Sequence, residues 1–106
     1  MDTGLTQTDI SRITAAIKQF PEIDDALIFG SRAKGTHKKA SDVDLAIKGR
    51  AVTGETIKRL SFMLNEELPL PYFFDVVHYE VLENRQLIGH IDRVGKSMTL
   101  FGDESL

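Results

Sequence analysis

The sequence predicts an α/β fold in which helices pack on a small mixed β-sheet. Segments with apolar residues at three- and four-residue spacing alternate along the chain with short apolar runs of strand length. Such alternation is typical of helices that cover a sheet. With 106 residues the chain is long enough for one hydrophobic core, so we expect a single domain over residues 1–106.

The first two elements are predicted to be a helix and a strand. The stretch "TQTDISRITAAIKQFP" places Thr6 and Asp9 at capping-box spacing and continues with apolar residues on one helical face up to Pro21. The run "IDDALIFG" then stops at Gly30 and has the length of a buried strand. Ser31 is predicted to begin a short helical turn directly after this strand.

The stretch "DVDLAIKG" predicts the second strand. Its alternation puts Val43, Leu45 and Ile47 on one face and Asp42 and Asp44, with the alanine that follows them, on the other. About eleven residues connect the first two strands, which is the lower limit for a parallel crossover. The relative direction of these strands therefore stays open, and we expect a mixed sheet.

The second half of the chain predicts helix, strand, helix and a short final strand. The stretch "TGETIKRLSFMLNEEL" has helical spacing from Thr53 onward and is closed by Pro69. Later, Leu87, Ile91 and Val94 are in step on a last helix that the following glycine stops. The segment "SMTLFG" is predicted to add a last edge strand.

The predicted third strand, "YFFDVVHY", is the most apolar in the chain. We expect Tyr72, Phe73 and Phe74 to lie in the core instead of forming a platform for a base. Asp75 interrupts this run, and a carboxylate in such apolar surroundings needs a partner. If the third strand lies beside the second, Asp75 would join the aspartates of the second strand.

Composition and charge exclude several classes of function. The net charge of −3 provides no general attraction for nucleic acid, so direct nucleic-acid binding is not expected. The absence of cysteine removes disulfides and thiolate sites and fits a reducing compartment. Because no apolar run approaches the roughly 20 residues of a membrane helix, we expect a cytoplasmic protein without membrane contact.

The aspartate pair predicts a site for a hard divalent cation. Asp42 and Asp44 project from the same strand face, where two unpaired carboxylates could not be buried. Mg²⁺ usually binds one or two carboxylates together with the phosphates of a substrate. Taken alone, an Asp-x-Asp pair is often only a strand edge that faces solvent.

The Gly-Ser pair before the aspartates predicts a phosphate site. Gly30 lets the backbone approach a ligand, Ser31 offers its hydroxyl and nearby amides, and Arg32 adds positive charge. The combination suits a triphosphate whose cation is shared with Asp42 and Asp44. A Gly-Ser turn by itself is common, and the stretch lacks the Lys and Ser/Thr that end a P-loop. The three histidines of the chain have no metal-ligand spacing and are expected to be structural.

The stretch "GSRAKGTHKKASDVDLAI" resembles the signature of the DNA polymerase beta-type nucleotidyltransferase superfamily. In that signature Gly-Ser precedes an Asp-x-Asp pair by about ten residues, as Gly30-Ser31 precedes Asp42-Val43-Asp44. Asp75 occupies the position of the third-strand carboxylate, so the resemblance extends over nearly the whole chain. The small size is similar to that of the minimal nucleotidyltransferase (MNT) proteins.

The resemblance implies a mixed-sheet, palm-like fold and transfer of AMP from ATP to a hydroxyl, with release of pyrophosphate. Gly30 and Ser31, with Arg32 beside them, would bind the β- and γ-phosphates, and Asp42 and Asp44 would hold Mg²⁺. Asp75 would also ligate metal and assist deprotonation of the hydroxyl. MNT proteins are typically paired with a HEPN-domain toxin and act as its antitoxin, which implies a tyrosine of such a toxin as the acceptor.

Two other functions stay open at this stage. The chain could neutralise a partner by occlusion, with nucleotide only stabilising the complex. It could also modify a small molecule in a pocket completed by a second copy. A minimal domain with an open site is expected to need a partner, in a homo- or hetero-oligomer, in either case.

Overall fold

The fold is a mixed α/β arrangement of four helices and a four-stranded mixed sheet, seen in a computed structural model that describes residues 3–38 and 41–98. The helices are α1 (Gln7–Lys18), α2 (Gly30–Lys34), α3 (Gly54–Phe62) and α4 (Arg85–Val94). The strands are β1 (Asp25–Phe29), β2 (Val43–Lys48), β3 (Phe74–His78) and β4 (Lys96–Ser97), in the sheet order β3-β2-β1-β4. This architecture confirms the predicted fold class. Within the described ranges, none of the helices combines the length and apolarity that crossing a membrane requires.

Helix α1 forms where its capping signal predicts. The Thr6 side chain accepts from the Asp9 amide at 3.0 Å, and the Asp9 carboxylate accepts from the Thr6 amide at 3.1 Å. These reciprocal bonds satisfy amides that a helix start otherwise leaves unpaired. The helix ends at Lys18, and the apolar face predicted from its spacing is buried against the sheet.

The strand directions settle the question that the short connection left open. Strand β1 runs antiparallel to β2, with Phe29 opposite Asp44, whereas β2 and β3 are parallel, with Asp44 opposite Asp75. The connection between β1 and β2 therefore needs no full crossover, which explains how about eleven residues suffice. Strand β4 extends the other edge by pairing antiparallel to β1.

The two faces of the sheet carry separate apolar clusters. Val43, Leu45 and Ile47 face the larger cluster, which also contains residues of α1 and α3. Ala46 faces the smaller cluster together with Phe29 and Ile91 of α4. The predicted alternation of β2 is thus confirmed, and it places Asp44 on the α4 side of the sheet.

Two predicted elements differ in extent from the sequence-based expectation. The helix after Thr53 is not uniform, since a π-helical turn over Met63–Glu67 replaces its last part. In this turn the side-chain amide of Asn65 accepts from the Phe74 N–H at 2.8 Å and donates to the Phe74 carbonyl at 3.0 Å. The final strand contains only Lys96–Ser97, and the predicted "SMTLFG" strand beyond Met98 lies outside the described residues.

The expectation that Tyr72, Phe73 and Phe74 all lie in the core is wrong for Phe73. Phe74 is buried, but Phe73 is 61% exposed and Asp75 is also exposed. The reason is topological: β3 is an edge strand, and α4 covers the face of Ala46 and Val77 without reaching Asp75. Asp75 therefore stands in solvent and not in the apolar surroundings that its neighbours in sequence suggested.

Candidate functional site

The sheet brings the three predicted carboxylates to one end of its α4 face. Asp44 and Asp75 are directly opposed on the parallel strands β2 and β3, so their side chains lie on the same face. Asp42 precedes Asp44 by two residues in an extended segment and projects to the same side. Asp44 is partly buried, while Asp42 and Asp75 are exposed. The cluster is open on one side to a ligand.

The carboxylates oppose one another electrostatically. Burial, together with the negative charges of Asp75 and Asp42, raises the pKa of Asp44 to about 6. A cation bound beside Asp44 would offset this repulsion and favour the ionised form of its carboxylate.

Replacing Asp44 by asparagine should stabilise the metal-free protein above pH 6. The pKa of Asp44 is about 6 in the folded state and near 3.8 in the unfolded chain, so the folded state binds the proton more tightly. The stability that this proton provides is present below about pH 4 and lost as the pH rises through about 6. Because the side chain is partly solvated, we expect a gain of about 1 kcal/mol in Asp44→Asn at neutral pH.

Urea unfolding from pH 4 to pH 8 in the presence of a chelator would measure this difference. The exposed Asp24 provides a matched control, since Asp24→Asn makes the same chemical change away from the cluster. Parallel stability profiles for wild type and Asp44→Asn would contradict the expected repulsion.

Gly30 joins the end of β1 to the beginning of α2 and lies against the carboxylates. Its φ of +74° falls in the left-handed region that favours glycine. A Cβ at this position would overlap the carboxylate of Asp44, so glycine is required by space as well as by conformation. Ser31 follows in the first turn of α2 and is partly exposed. The predicted phosphate turn and the predicted metal ligands are therefore in contact.

Arg32 is placed differently from the sequence-based expectation. Its side chain is 1% exposed and donates to the carbonyl of Thr3 at 2.8 Å and to the carbonyl of Ser41 at 2.9 and 3.2 Å. Its guanidinium also lies 4.9 Å from the centre of the Tyr72 ring. These contacts hold the loop before Asp42 to the N-terminal segment. The expectation that Arg32 contacts a phosphate directly therefore needs revision.

His90 is the site neighbour that sequence reasoning missed. The Gly30 N–H donates to Nε2 of His90 at 3.1 Å, and the His90 ring meets Phe29 edge-on with 6.1 Å between ring centres. Its position on the covering face of α4, one residue before Ile91, was the available signal. That signal points equally to core packing and could not identify Gly30 as the partner.

The residues at this site fit Mg²⁺. Among residues 3–38 and 41–98, no group of three or more His, Asp or Glu side chains is placed so that it could hold a metal ion. Mg²⁺ does not need one, because it usually takes one or two carboxylates and completes its shell with waters and phosphates. The carboxylate of Asp44, whose pKa is raised, and that of its strand neighbour Asp75 provide the oxygen donors that such a cation prefers.

The mixed sheet, the glycine-led helix and the adjoining carboxylates define a class: small α/β proteins in which a glycine turn lies against acidic side chains at one end of the sheet. The chain belongs to the polymerase beta nucleotidyltransferase family. The family model described as "Polymerase beta, Nucleotidyltransferase" matches residues 11–100. A comparison with curated proteins gives no match.

Several solved structures share the fold at low sequence identity. A crystal structure of a toxin–antitoxin with AMP-PNP matches with a TM-score of 0.71 and 20% identity over 95% of this chain and 84% of that chain. A mutant of the MntA–HpeT toxin–antitoxin has a TM-score of 0.69 and 17% identity over 95% and 84% of the two chains.

A rebuilt structure of tri-AMPylated Shewanella oneidensis HEPN toxin in complex with MNT antitoxin has a TM-score of 0.65. Its identity is 17% over 94% of this chain and 83% of that chain. At such identities, these similarities establish the fold alone.

Proposed function

We propose that this chain is a Mg²⁺-dependent nucleotidyltransferase that moves AMP from ATP to a hydroxyl of a partner protein. One observation carries the proposal: Gly30, where the phosphate turn begins, packs on the carboxylate of Asp44, whose strand neighbour is Asp75. A triphosphate at this turn would lie beside the carboxylates that share its cation.

Each residue of the site has a separate role in this proposal. Ser31 and the first amides of α2 bind the β- and γ-phosphates, and Asp42 and Asp44 hold the cation. Asp75 adds a ligand and accepts the proton of the attacking hydroxyl, while a bond forms from that oxygen to the α-phosphorus and pyrophosphate leaves. Bound Mg²⁺ would neutralise the negative charges of the phosphates and the carboxylates.

Two considerations support a protein as the acceptor. The solved structures that share the fold include an MNT antitoxin in complex with an AMPylated HEPN toxin. We therefore propose that the acceptor is a tyrosine of a HEPN-type toxin in the cytoplasm and that this chain acts as the antitoxin. The second consideration is an exposed groove beside α3 that contains two exposed phenylalanine rings.

The groove has a volume of about 640 Å³ and lies between α3, the π-helical turn and the start of β3. Phe62 and Phe73 line it and are 55% and 61% exposed. Phe73 precedes Asp75 by two residues at the edge of the sheet, which puts their Cα atoms roughly 7 Å apart. The groove lies on the α3 side of this edge, and Asp75 lies on the α4 side. A protein that covers these rings and continues around the edge strand β3 could bring a hydroxyl to Asp75.

Replacing Phe73 by serine should raise KM for a HEPN partner about tenfold, because an exposed aromatic anchor contributes on the order of 1–2 kcal/mol to an interface. The affinity for MgATP should not change. Steady-state labelling at varied partner concentration would measure KM, and calorimetry would measure ATP binding.

Val81→Ser is the matched control, since Val81 is 65% exposed but lies in the 3-10 turn after β3. Equal effects of the two substitutions would contradict a specific role for Phe73. Loss of ATP affinity in Phe73→Ser would instead indicate a base contact and would also contradict the docking role.

The alternative is a nucleotide-binding antitoxin that neutralises its partner by occlusion. The carboxylate cluster favours catalysis, because opposed carboxylates that raise the pKa of Asp44 cost stability and occlusion does not need them.

Mass spectrometry of the partner would decide between these functions. The chain is incubated with ATP, Mg²⁺ and the HEPN-type protein encoded beside it, if the genome provides one, or with a HEPN toxin of a related pair. We expect the partner to gain the mass of one or more AMP units on tyrosine. Neutralisation of the toxin without any added mass would refute the enzymatic proposal and support occlusion.

A further inference from the structure

His90 connects helix α4 to the glycine of the proposed nucleotide turn across 60 residues of sequence. The Gly30 N–H donates to its Nε2 at 3.1 Å, and the ring contacts Phe29, the residue just before Gly30, with an interplanar angle of 76°. Helix α4 is fixed on the sheet by Ile91, which is buried in the smaller apolar cluster. The histidine is thus held by a packed helix and reaches the backbone of the turn.

This hydrogen bond has a direct chemical consequence for the turn. An amide can only donate, so Nε2 must carry a lone pair and the imidazole proton sits on Nδ1. The Gly30 N–H is consequently occupied by a protein acceptor and does not face a phosphate. The amide of Gly30 is thus bonded to His90, and the carboxylate of Asp44 occupies the space that a Cβ on Gly30 would need.

We propose that His90 is a positioning residue that fixes the Gly30 peptide and leaves the phosphate contacts to Ser31 and the amides that follow it. This inference rests on the proposed function and sharpens it, because it removes the Gly30 N–H from the expected phosphate ligands. The left-handed conformation of Gly30, with a φ of +74°, is one of several that glycine adopts easily. A distant acceptor that selects this conformation keeps the turn ordered before nucleotide arrives.

Three substitutions separate the hydrogen bond from simple packing. His90→Phe keeps an aromatic ring against Phe29 but has no acceptor, whereas His90→Gln offers a carbonyl oxygen as acceptor. His78→Gln is a matched control, since the His78 side chain is 13% exposed and lies at the opposite end of β3 from Asp75.

Nuclear magnetic resonance on the labelled protein tests the proposal without any catalytic assay. We expect a scalar coupling across the hydrogen bond between the Gly30 nitrogen and Nε2 of His90, retained when Mg²⁺ and AMP-PNP are added. Amide exchange at Gly30 should accelerate about tenfold or more in His90→Phe, as loss of one neutral hydrogen bond implies, and should recover in His90→Gln.

Nucleotide affinity provides the second readout. The Kd for AMP-PNP with Mg²⁺ should rise about tenfold in His90→Phe, recover in His90→Gln, and stay at the wild-type value in His78→Gln. Disappearance of the coupling on nucleotide addition would overturn the proposal, because His90 would then be displaced by phosphate. Equal losses of nucleotide affinity in His90→Phe and His90→Gln would overturn it as well, because His90 would then contribute only through packing. If wild type binds no nucleotide, the proposed function fails, while Gly30 exchange in the variants still decides whether His90 positions the turn.

Discussion

Replacing Asp42 and Asp44 together by asparagine should lower AMP transfer by about three orders of magnitude, because the loss of the cation removes several kcal/mol of charge stabilisation. Asparagine retains the shape of aspartate but not its charge. Since the carboxylates repel one another in the metal-free protein, the double variant should fold at least as stably as wild type. The defect should therefore appear in transfer and in Mg²⁺ binding, but not in unfolding.

A double variant of two exposed acidic residues, Asp24→Asn/Glu83→Gln, makes the same change of net charge at a distance from the site. It should transfer AMP at the wild-type rate. Transfer at a normal rate by Asp42→Asn/Asp44→Asn would remove the carboxylate cluster from the chemistry. Neutralisation of the toxin that survives in this variant, with transfer lost, would assign the antitoxin effect to occlusion.

Replacing Gly30 by alanine should destabilise the fold and abolish nucleotide binding. A left-handed conformation costs a non-glycine residue roughly 1–2 kcal/mol, and the overlap of the new Cβ with the Asp44 carboxylate adds to that cost. We expect a loss of about 2–4 kcal/mol in the free energy of unfolding and a fall of at least about 100-fold in nucleotide affinity. Urea unfolding and calorimetry with AMP-PNP and Mg²⁺ would measure the two effects.

Gly35 provides the matched control for this substitution. It has nearly the same φ, +77°, but a Cβ there would meet no atom within 4 Å. Gly35→Ala should therefore show the conformational cost alone, about 1 kcal/mol, and keep its nucleotide affinity. Equal effects of Gly30→Ala and Gly35→Ala on stability and nucleotide affinity would show that the contact with Asp44 is not the reason why position 30 needs glycine.

Local signals in the sequence predicted most of the elements. The reciprocal bonds of Thr6 and Asp9 form as their spacing indicates, and the alternation along β2 separates the core face from the face of Asp44. Strand direction was not predictable in the same way, because it depends on which edges pair and not on the connection alone. The exposure of Asp75 and Phe73 follows from the edge position of β3, which no local pattern encodes.

The candidate site was predictable where its residues are close in sequence. Gly30 and Asp44 form one spaced motif, and their contact follows from the antiparallel pairing of β1 with β2. His90 is recruited from a helix 60 residues away, and its half-buried position on the apolar face concealed the contact. Arg32 resembled a phosphate ligand because it follows Gly30 and Ser31 in sequence. Its burial could not be predicted, since its partners Thr3 and Ser41 lie on separate segments of the chain.

The most direct test of nucleotidyl transfer uses ATP labelled at either the α- or the γ-phosphate, with Mg²⁺ and a HEPN-type partner. The proposed chemistry breaks the bond between the α-phosphorus and the bridging oxygen. We therefore predict that the α-label appears on the partner and that the γ-label leaves as pyrophosphate. Appearance of the γ-label on the partner, or release of the γ-label as orthophosphate with no α-label on protein, would contradict the account.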